Sequence, residues 1–347
     1  MESTWFILVA LMIVAYAVLD GFDFGAGILH ILIARTDADR RTILRSIGPF
    51  WDGNEVWLIA GGGTLYFAFP ALYAISFSGF YLPLHIVLWL LILRGMGIEF
   101  RAQLSREIAA GLFDGFFALS SGLLALFFGA ALGNVIRGVP IGADRSFFEP
   151  LWTTLLPWGE TGILDWYTIF TGVFTVIALT MHGALWISMK ADSEIGNRAS
   201  VVANRIAPIL GIFSIIGVPL TILARPATVA NYLRYPALFV IPAAVMVSLY
   251  FVWLWNRGGR ELPAFLASCA YIITALTGVA AALYPALLPS SYGPQFDITI
   301  FNAATGSYAL RVGFIWWGLG MVLATGYFIF LYRMFRSPRL IVPPCAR

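Results

Sequence analysis

Charge is what this sequence has least of. Of its 347 residues, 11% are Asp, Glu, Lys or Arg and 60% are hydrophobic, whereas a soluble domain carries roughly 25% charged residues. With a mean hydropathy of +0.85, the chain lacks the polar surface that water requires, and membrane lipid is its expected solvent. Cysteine is nearly as scarce. Cys269 lies in an apolar run and Cys345 in the C-terminal tail, so the two thiols offer neither a disulfide nor a metal cluster. There are three histidines, and no two share a helix at ligand spacing. No phosphate loop, Ser-His-Asp arrangement or metal-ligand run occurs, so no metal is assigned. A net charge of +3 gives no reason to expect nucleic acid. The opening stretch, MESTWFILVALMIVAYAVLDGFDFG, has no basic n-region and no small-residue cleavage site. It is expected to be a retained first helix, not a cleaved signal peptide.

What is present is apolar length. A spanning helix needs about 20 mostly apolar residues, and nine stretches qualify, at roughly 5–34, 50–69, 73–94, 113–136, 163–189, 206–224, 234–255, 264–285 and 312–334. The reading is an all-α integral membrane protein with nine transmembrane helices, residues 1–347 forming a single membrane domain. The longest connections, about 137–162 and 286–311, are expected to fold on a membrane surface. Sixteen of the 21 Lys and Arg fall in one alternate set of connections and helix ends, and five in the other. Because basic loops stay in the cytoplasm, the N-terminus is expected outside and the C-terminus cytoplasmic. WFILVALMIVAYAVLDG and WYTIFTGVFTVIALTMHG both run from Trp to a polar residue plus Gly. A duplicated bundle would leave that trace, and so would two unrelated apolar helices.

Against this background the buried acids stand out, since a carboxylate at a helix centre costs on the order of 3 kcal/mol or more. Asp20 and Asp23 are three residues apart in helix 1 and share a face, with Gly21, Gly25 and Gly27 around them, small enough for a neighbouring helix to pack closely. Asp52 and Glu55 repeat that spacing in helix 2, flanked by Trp51 and Trp57. LRGMGIEFR, ending helix 3, adds Arg94, Glu99 and Arg101. Asp23 precedes Arg35 by 12 residues, roughly 18 Å at 1.5 Å per residue. Asp52 and Glu55 fall about 10 and 15 Å past Arg45 if their helix begins there. Acids from three helices thus gather in the cytoplasmic half. They form either a proton track or pairs with Arg94 and Arg101 that hold the helices in register. Pairing is the expectation for Glu99, function for Asp23 and Asp52. Asp114 and Asp165 read as surface or helix-start acids. His30, His85 and His182 read as locally hydrogen-bonded; buried histidines can ligate haem, but no pair supports it. A secondary transporter, whose sites sit at a repeat interface near the midplane, is the alternative, although these acids crowd one side.

The motifs LDGFDFGAGIL and, some 25 residues later, GPFWDGNEVWLIAGGG resemble those of subunit II of the cytochrome bd-type quinol oxidases. FSGFYLPL, RGMGIEFR, GNVIRGVP, HGALWISMK, ALYPALLPSS and NAATGSYALR follow in order, so the resemblance covers nearly the whole chain. It implies two four-helix bundles, helices 1–4 over about 5–136 and helices 5–8 over about 163–285, plus a peripheral helix at about 312–334. It implies a haem-bearing subunit I as partner, carrying haem b and haem d, in a bacterial cytoplasmic (inner) membrane complex that oxidises quinol and reduces oxygen to water. This chain would bind no haem alone; some members hold a structural quinone, and a small single-helix accessory subunit is compatible. Asp23 and Asp52, with Trp51, match family positions associated with a polar proton path. Glu55 falls where relatives carry Gln or Glu and Asp20 where acids vary, which makes both secondary. The compact 137–162 and 225–233 segments leave no room for the long insertions of some relatives.

Overall fold

The computed structural model describes residues 1–103, 107–157, 159–191 and 194–335. Cys345 and four of the arginines used to orient the chain, Arg106, Arg336, Arg339 and Arg347, lie outside the described residues. The described chain is almost wholly helical. In order come α1 (Glu2–Leu19), α2 (Gly21–Leu32), α3 (Asp37–Ile47), α4 (Trp51–Ala68), α5 (Pro70–Gly79), α6 (Tyr81–Gln103) and α7 (Glu107–Arg137). After them follow α8 (Trp166–Lys190), α9 (Glu194–Ala224), α10 (Ala230–Arg234), α11 (Val240–Arg257), α12 (Glu261–Leu283) and α13 (Ser307–Met334). A small ribbon pairs β1 (Ala286–Leu288) antiparallel with β2 (Ile298–Thr299).

Among the described residues, eight helical segments are long and apolar enough to cross a membrane, α1 and α2 counting together as one span of 31 residues. A ninth arises if α4 and α5, bent by 120°, are taken as one. The chain is therefore an all-α membrane protein. The expected helix over 73–94 needs correction: α5 ends at Gly79 and α6 runs from Tyr81 to Gln103. Pro70 has no N–H with which to continue α4 and starts a helix readily, and Phe69 before it leaves helical geometry at φ −134°, ψ 63°. At Gly79 the ring of Phe147 fills the space a Cβ would take.

Helix α8 lies at the centre, packed on α2, α7, α9 and α12, and is buried without a break from Ala178 to Ser188. The α2–α8 crossing is the closest: a Cβ on Gly25 would come 2.7 Å from Gly183 Cα, so both glycines are needed for backbone to meet backbone. Around this core α1 packs on α4, α6 on α7, and α11 on both α9 and α12. Helix α13 runs along α4, touching it through Trp57–Phe328 and standing largely exposed.

The two ends of the array differ. At one, α3 lies under the bundle as a short polar helix started by a capping box, in which Thr36 Oγ1 accepts from Asp39 N–H and Asp39 accepts from Thr36 N–H. At the other, the connections 138–165 and 284–306 fold together. Val139 N–H donates to Pro289 O (3.1 Å) and Ser291 N–H to Val139 O (2.9 Å). Arg137 ties this cap to the helices, donating to Glu149 Oε1 (2.8 Å) and Oε2 (3.0 Å), to Asn134 Oδ1 (2.9 Å) and to Asp165. Asp165 is a helix-start acid as expected, capping α8 through the N–H groups of Tyr167 and Thr168.

Candidate functional site

Asp20 marks the junction of α1 and α2. Its carboxylate meets the guanidinium of Arg94 on α6 in a bidentate pair, Nη1 to Oδ2 at 2.8 Å and Nη2 to Oδ1, with both side chains fully buried. The same guanidinium lies 4.2 Å from the centre of the Phe24 ring. Such a pair gives modest net stability, but removing one partner strands a buried charge at a cost of roughly 3–5 kcal/mol.

Asp23, one turn further on, is also fully buried. Asn54 Nδ2 on α4 donates to its Oδ2 at 2.8 Å, while Oδ1 has no partner. Asn54 Oδ1, Arg94 Nε and the hydroxyls of Tyr16 and Tyr332 are likewise buried and unpartnered. Buried polar atoms are nearly always satisfied, and this cluster gathers several that are not. Glu55 is half-buried on α4, and Asp52, one turn earlier, is exposed on the surface of the chain. The depth estimate for Asp52 is corrected accordingly. Helix α3 stops at Ile47 and α4 starts anew at Trp51, so Asp52 lies in a first turn and not two turns into a continuous helix.

The expected pairing of Glu99 also changes. Glu99 is exposed; Arg94 turns to Asp20, and Arg101 Nε donates to Asp114 Oδ1 (2.8 Å) while its Nη2 reaches Asp37. Asp114 is no surface acid: it is buried on α7 and also bonds His30 Nε2 (2.6 Å) and Arg40 Nη1 (3.2 Å). On the adjoining α3, the hydrogen bond from Arg41, helped by Arg101, holds the Asp37 carboxyl below the usual carboxylate range. Trp51 lies half-buried over Gly95 of α6. Gly21 packs under Leu179, where a Cβ would come 3.0 Å from Cδ2.

The other histidines are locally bonded. His182 Nε2 donates to Val18 O (3.0 Å) and its Nδ1 meets Ser268 Oγ (2.7 Å), while His85 Nδ1 donates to Tyr81 O (2.8 Å) on an exposed face. With both ring nitrogens engaged, His182 has none left for axial haem ligation. Among the described residues no group of His, Cys, Asp and Glu could hold a metal ion. Sequence reasoning missed Asn54, which lies between Asp52 and Glu55 but carries no charge. It also missed the His30–Asp114 pair, whose members are 84 residues apart.

Fold and site together define a polytopic helical membrane protein built around a buried acid–arginine centre. The chain belongs to the cytochrome bd terminal oxidase subunit II family, whose model matches residues 1–335. Curated relatives span its length. It is 29% identical to the cytochrome bd ubiquinol oxidase subunit 2 of Bacillus subtilis, over 90% of this chain and 89% of that one. It is 29% identical to the cytochrome bd-I ubiquinol oxidase subunit 2 of Escherichia coli, over 89% and 87%. A probable cytochrome oxidase subunit 2 of Haemophilus influenzae is 28% identical over 94% and 92%. A chain of the bd oxidase from Geobacillus thermodenitrificans shares the fold at a TM-score of 0.73 and 19% identity, covering 96% of this chain and 98% of that one.

Proposed function

We propose that this chain serves as the haem-free membrane subunit of a quinol:oxygen oxidoreductase in a bacterial cytoplasmic membrane. It would pair with a subunit I that carries haem b and haem d, where quinol is oxidised and oxygen reduced to water. Its own contribution is a scaffold and a cytoplasmic proton path. The names of the relatives support the reaction. Its helices would form two four-helix bundles, α1/α2–α4–α6–α7 and α8–α9–α11–α12, with α13 peripheral; the packed pairs α1–α4, α6–α7, α8–α9 and α11–α12 each fall within one of them. The excess of Arg at the α3 end supports a cytoplasmic placement of that end. Neither a structural quinone in this chain nor a single-helix accessory subunit is required, and a free-standing transporter is not favoured.

One observation carries the proton role: Asp23, fully buried, keeps a carboxylate oxygen without a partner beside the Asp20–Arg94 pair. Asp52, at the chain surface, and Glu55, half-buried above it, lead to that centre along α4. Trp51 lies over Gly95 of α6 beside this route. The proton is accepted at the Asp52 carboxylate, passes to Glu55 and reaches the free oxygen of Asp23.

Asp52→Asn is therefore expected to lower quinol-driven oxygen consumption by about two- to tenfold with haem content unchanged, because an exposed side chain is not needed for folding. The measurement is oxygen uptake beside the haem absorbance of the purified complex. Normal turnover in that variant, or loss of haem, counts against the path.

A further inference from the structure

A second polar column runs inside the chain, away from the exposed face of α4. Seven residues make two helical turns, about 10.5 Å along one face, and three neighbouring helices each carry polar residues at that spacing. These are Asp23 and His30 on α2, Arg94 and Arg101 on α6, and Asp114 and Ser121 on α7. One layer holds Asp20, Asp23 and Arg94; the other holds His30, Arg101 and Asp114, with Arg40 and the exposed Asp37 at its rim. Ser121 lies between them. Its neighbour Ser120 donates to the carbonyl of Phe116 (2.5 Å) in the usual back-bond, but Ser121 Oγ is buried without a partner and occupies the space a Cβ on Gly27 would need. His30 Nδ1 is unpartnered too. His30 Nδ1, Ser121 Oγ and Asp23 Oδ1 are thus free polar atoms at successive levels of the column.

We propose that this α2–α6–α7 seam is a second proton inlet, in which His30 takes up a proton at the α3 end and passes it by way of Ser121 to Asp23. The inference rests on the proton role of Asp23 stated above. Asp114, bonded by two guanidinium groups, is an acceptor, so His30 donates to it through Nε2–H and the neutral ring accepts at Nδ1. The imidazolium so formed stands against the Asp114 carboxylate. Because none of these three atoms bonds another, the proton crosses each gap on water: it leaves Nδ1, the Ser121 hydroxyl takes one proton as it releases its own, and Asp23 receives one at Oδ1, so that only a proton moves. Phe117, whose ring lies 5.2 Å from His30, fills the seam against Gly27 and Gly97. A helix lock alone does not account for the column. Asp114 already has Arg101 and Arg40 as counter-ions, and Ser121 binds nothing.

The test uses the assembled complex with its haem content verified by absorbance, and reads quinol-driven oxygen consumption together with proton uptake from the cytoplasmic side in vesicles. The Asp52 route carries the larger share of the protons, and the seam carries what D52N leaves. S121A or H30Q alone is expected to lower turnover by less than about threefold, whereas S121A combined with D52N falls about tenfold below D52N. A double variant no slower than D52N overturns the inlet. S121A removes a hydroxyl that makes no bond, so it keeps the test decisive even if H30Q fails to assemble. D23N separates the two readings. Normal turnover in D23N overturns the proton role of Asp23 itself; a slow D23N with no synergy between S121A and D52N overturns only the inlet.

Discussion

Asp20 and Asp23 are near neighbours with the same side chain, and their surroundings give them different work. Asp20 spends both oxygens on Arg94, whereas Asp23 has one amide donor and one free oxygen. We assign Asp20 to positioning: it fixes the guanidinium whose charge stands beside Asp23. Asp20→Asn leaves Arg94 buried with a single weak acceptor, a loss of about 3–5 kcal/mol. The expected result is a complex that assembles poorly, with reduced haem content and a lowered melting temperature, unlike Asp52→Asn. If Asp20→Asn keeps its haem and melts normally but turns over slowly, Asp20 belongs to the proton path instead. Arg94→Lys should behave like Asp20→Asn in kind, because a point charge replaces a two-pronged donor.

At the scale of elements, α3 shows how a short polar helix is held under an apolar bundle. Burial pushes the Asp39 carboxyl up, but the hydrogen bond from Arg198 on α9 (2.7 Å) and those from the N–H groups of Arg35 (2.9 Å) and Thr36 (3.2 Å) outweigh it and hold it below the usual range. A carboxyl depressed in the folded state contributes stability above its unfolded pKa and loses it as pH falls through the folded value. Docking of α3 should therefore be constant from neutral pH to about 5 and weaken below about 4. Hydrogen exchange of the 37–47 amides, corrected for intrinsic rates, measures this, and Asp39→Asn should remove the acid dependence. An unchanged dependence in that variant would assign it elsewhere. The apolar length of most spans is legible in the sequence because that signal is local, whereas α3, between the first two of them, is not read as a helix. The bend at Phe69 is not legible either, since residues 65–84 carry no charged side chain and periodicity carries no angle; only Pro70 and Gly79 mark it. The partners of Arg94, Arg101 and Asp114 were illegible for a related reason: which acid faces which arginine depends on the register between helices 74 and 13 residues apart in sequence. Asp20 and Asp23 are legible from the cost of placing charge at depth, and Asn54 is not, because an amide carries no such penalty on inspection.

For the whole molecule, everything turns on which way the array faces. The α3 end gathers His30, Asp114, Arg101 and Asp52, and the opposite end is sealed by the folded connections latched by Arg137. If protons are drawn from the cytoplasm, the α3 end must face it. Asp144, exposed in the 138–165 connection, and Gly259, exposed between α11 and α12, lie on opposite sides in that arrangement. With Cys269 and Cys345 replaced by Ser, a cysteine at Asp144→Cys should react with a membrane-impermeant maleimide in intact cells. One at Gly259→Cys should react only after the membrane is opened. The reverse pattern would turn Asp52 and the His30 layer to the outside, where neither could draw on cytoplasmic protons, and both inlets would fall together. The expected pattern leaves a long-range arrangement in which the acids open to the proton source and the Arg137 latch closes the far side.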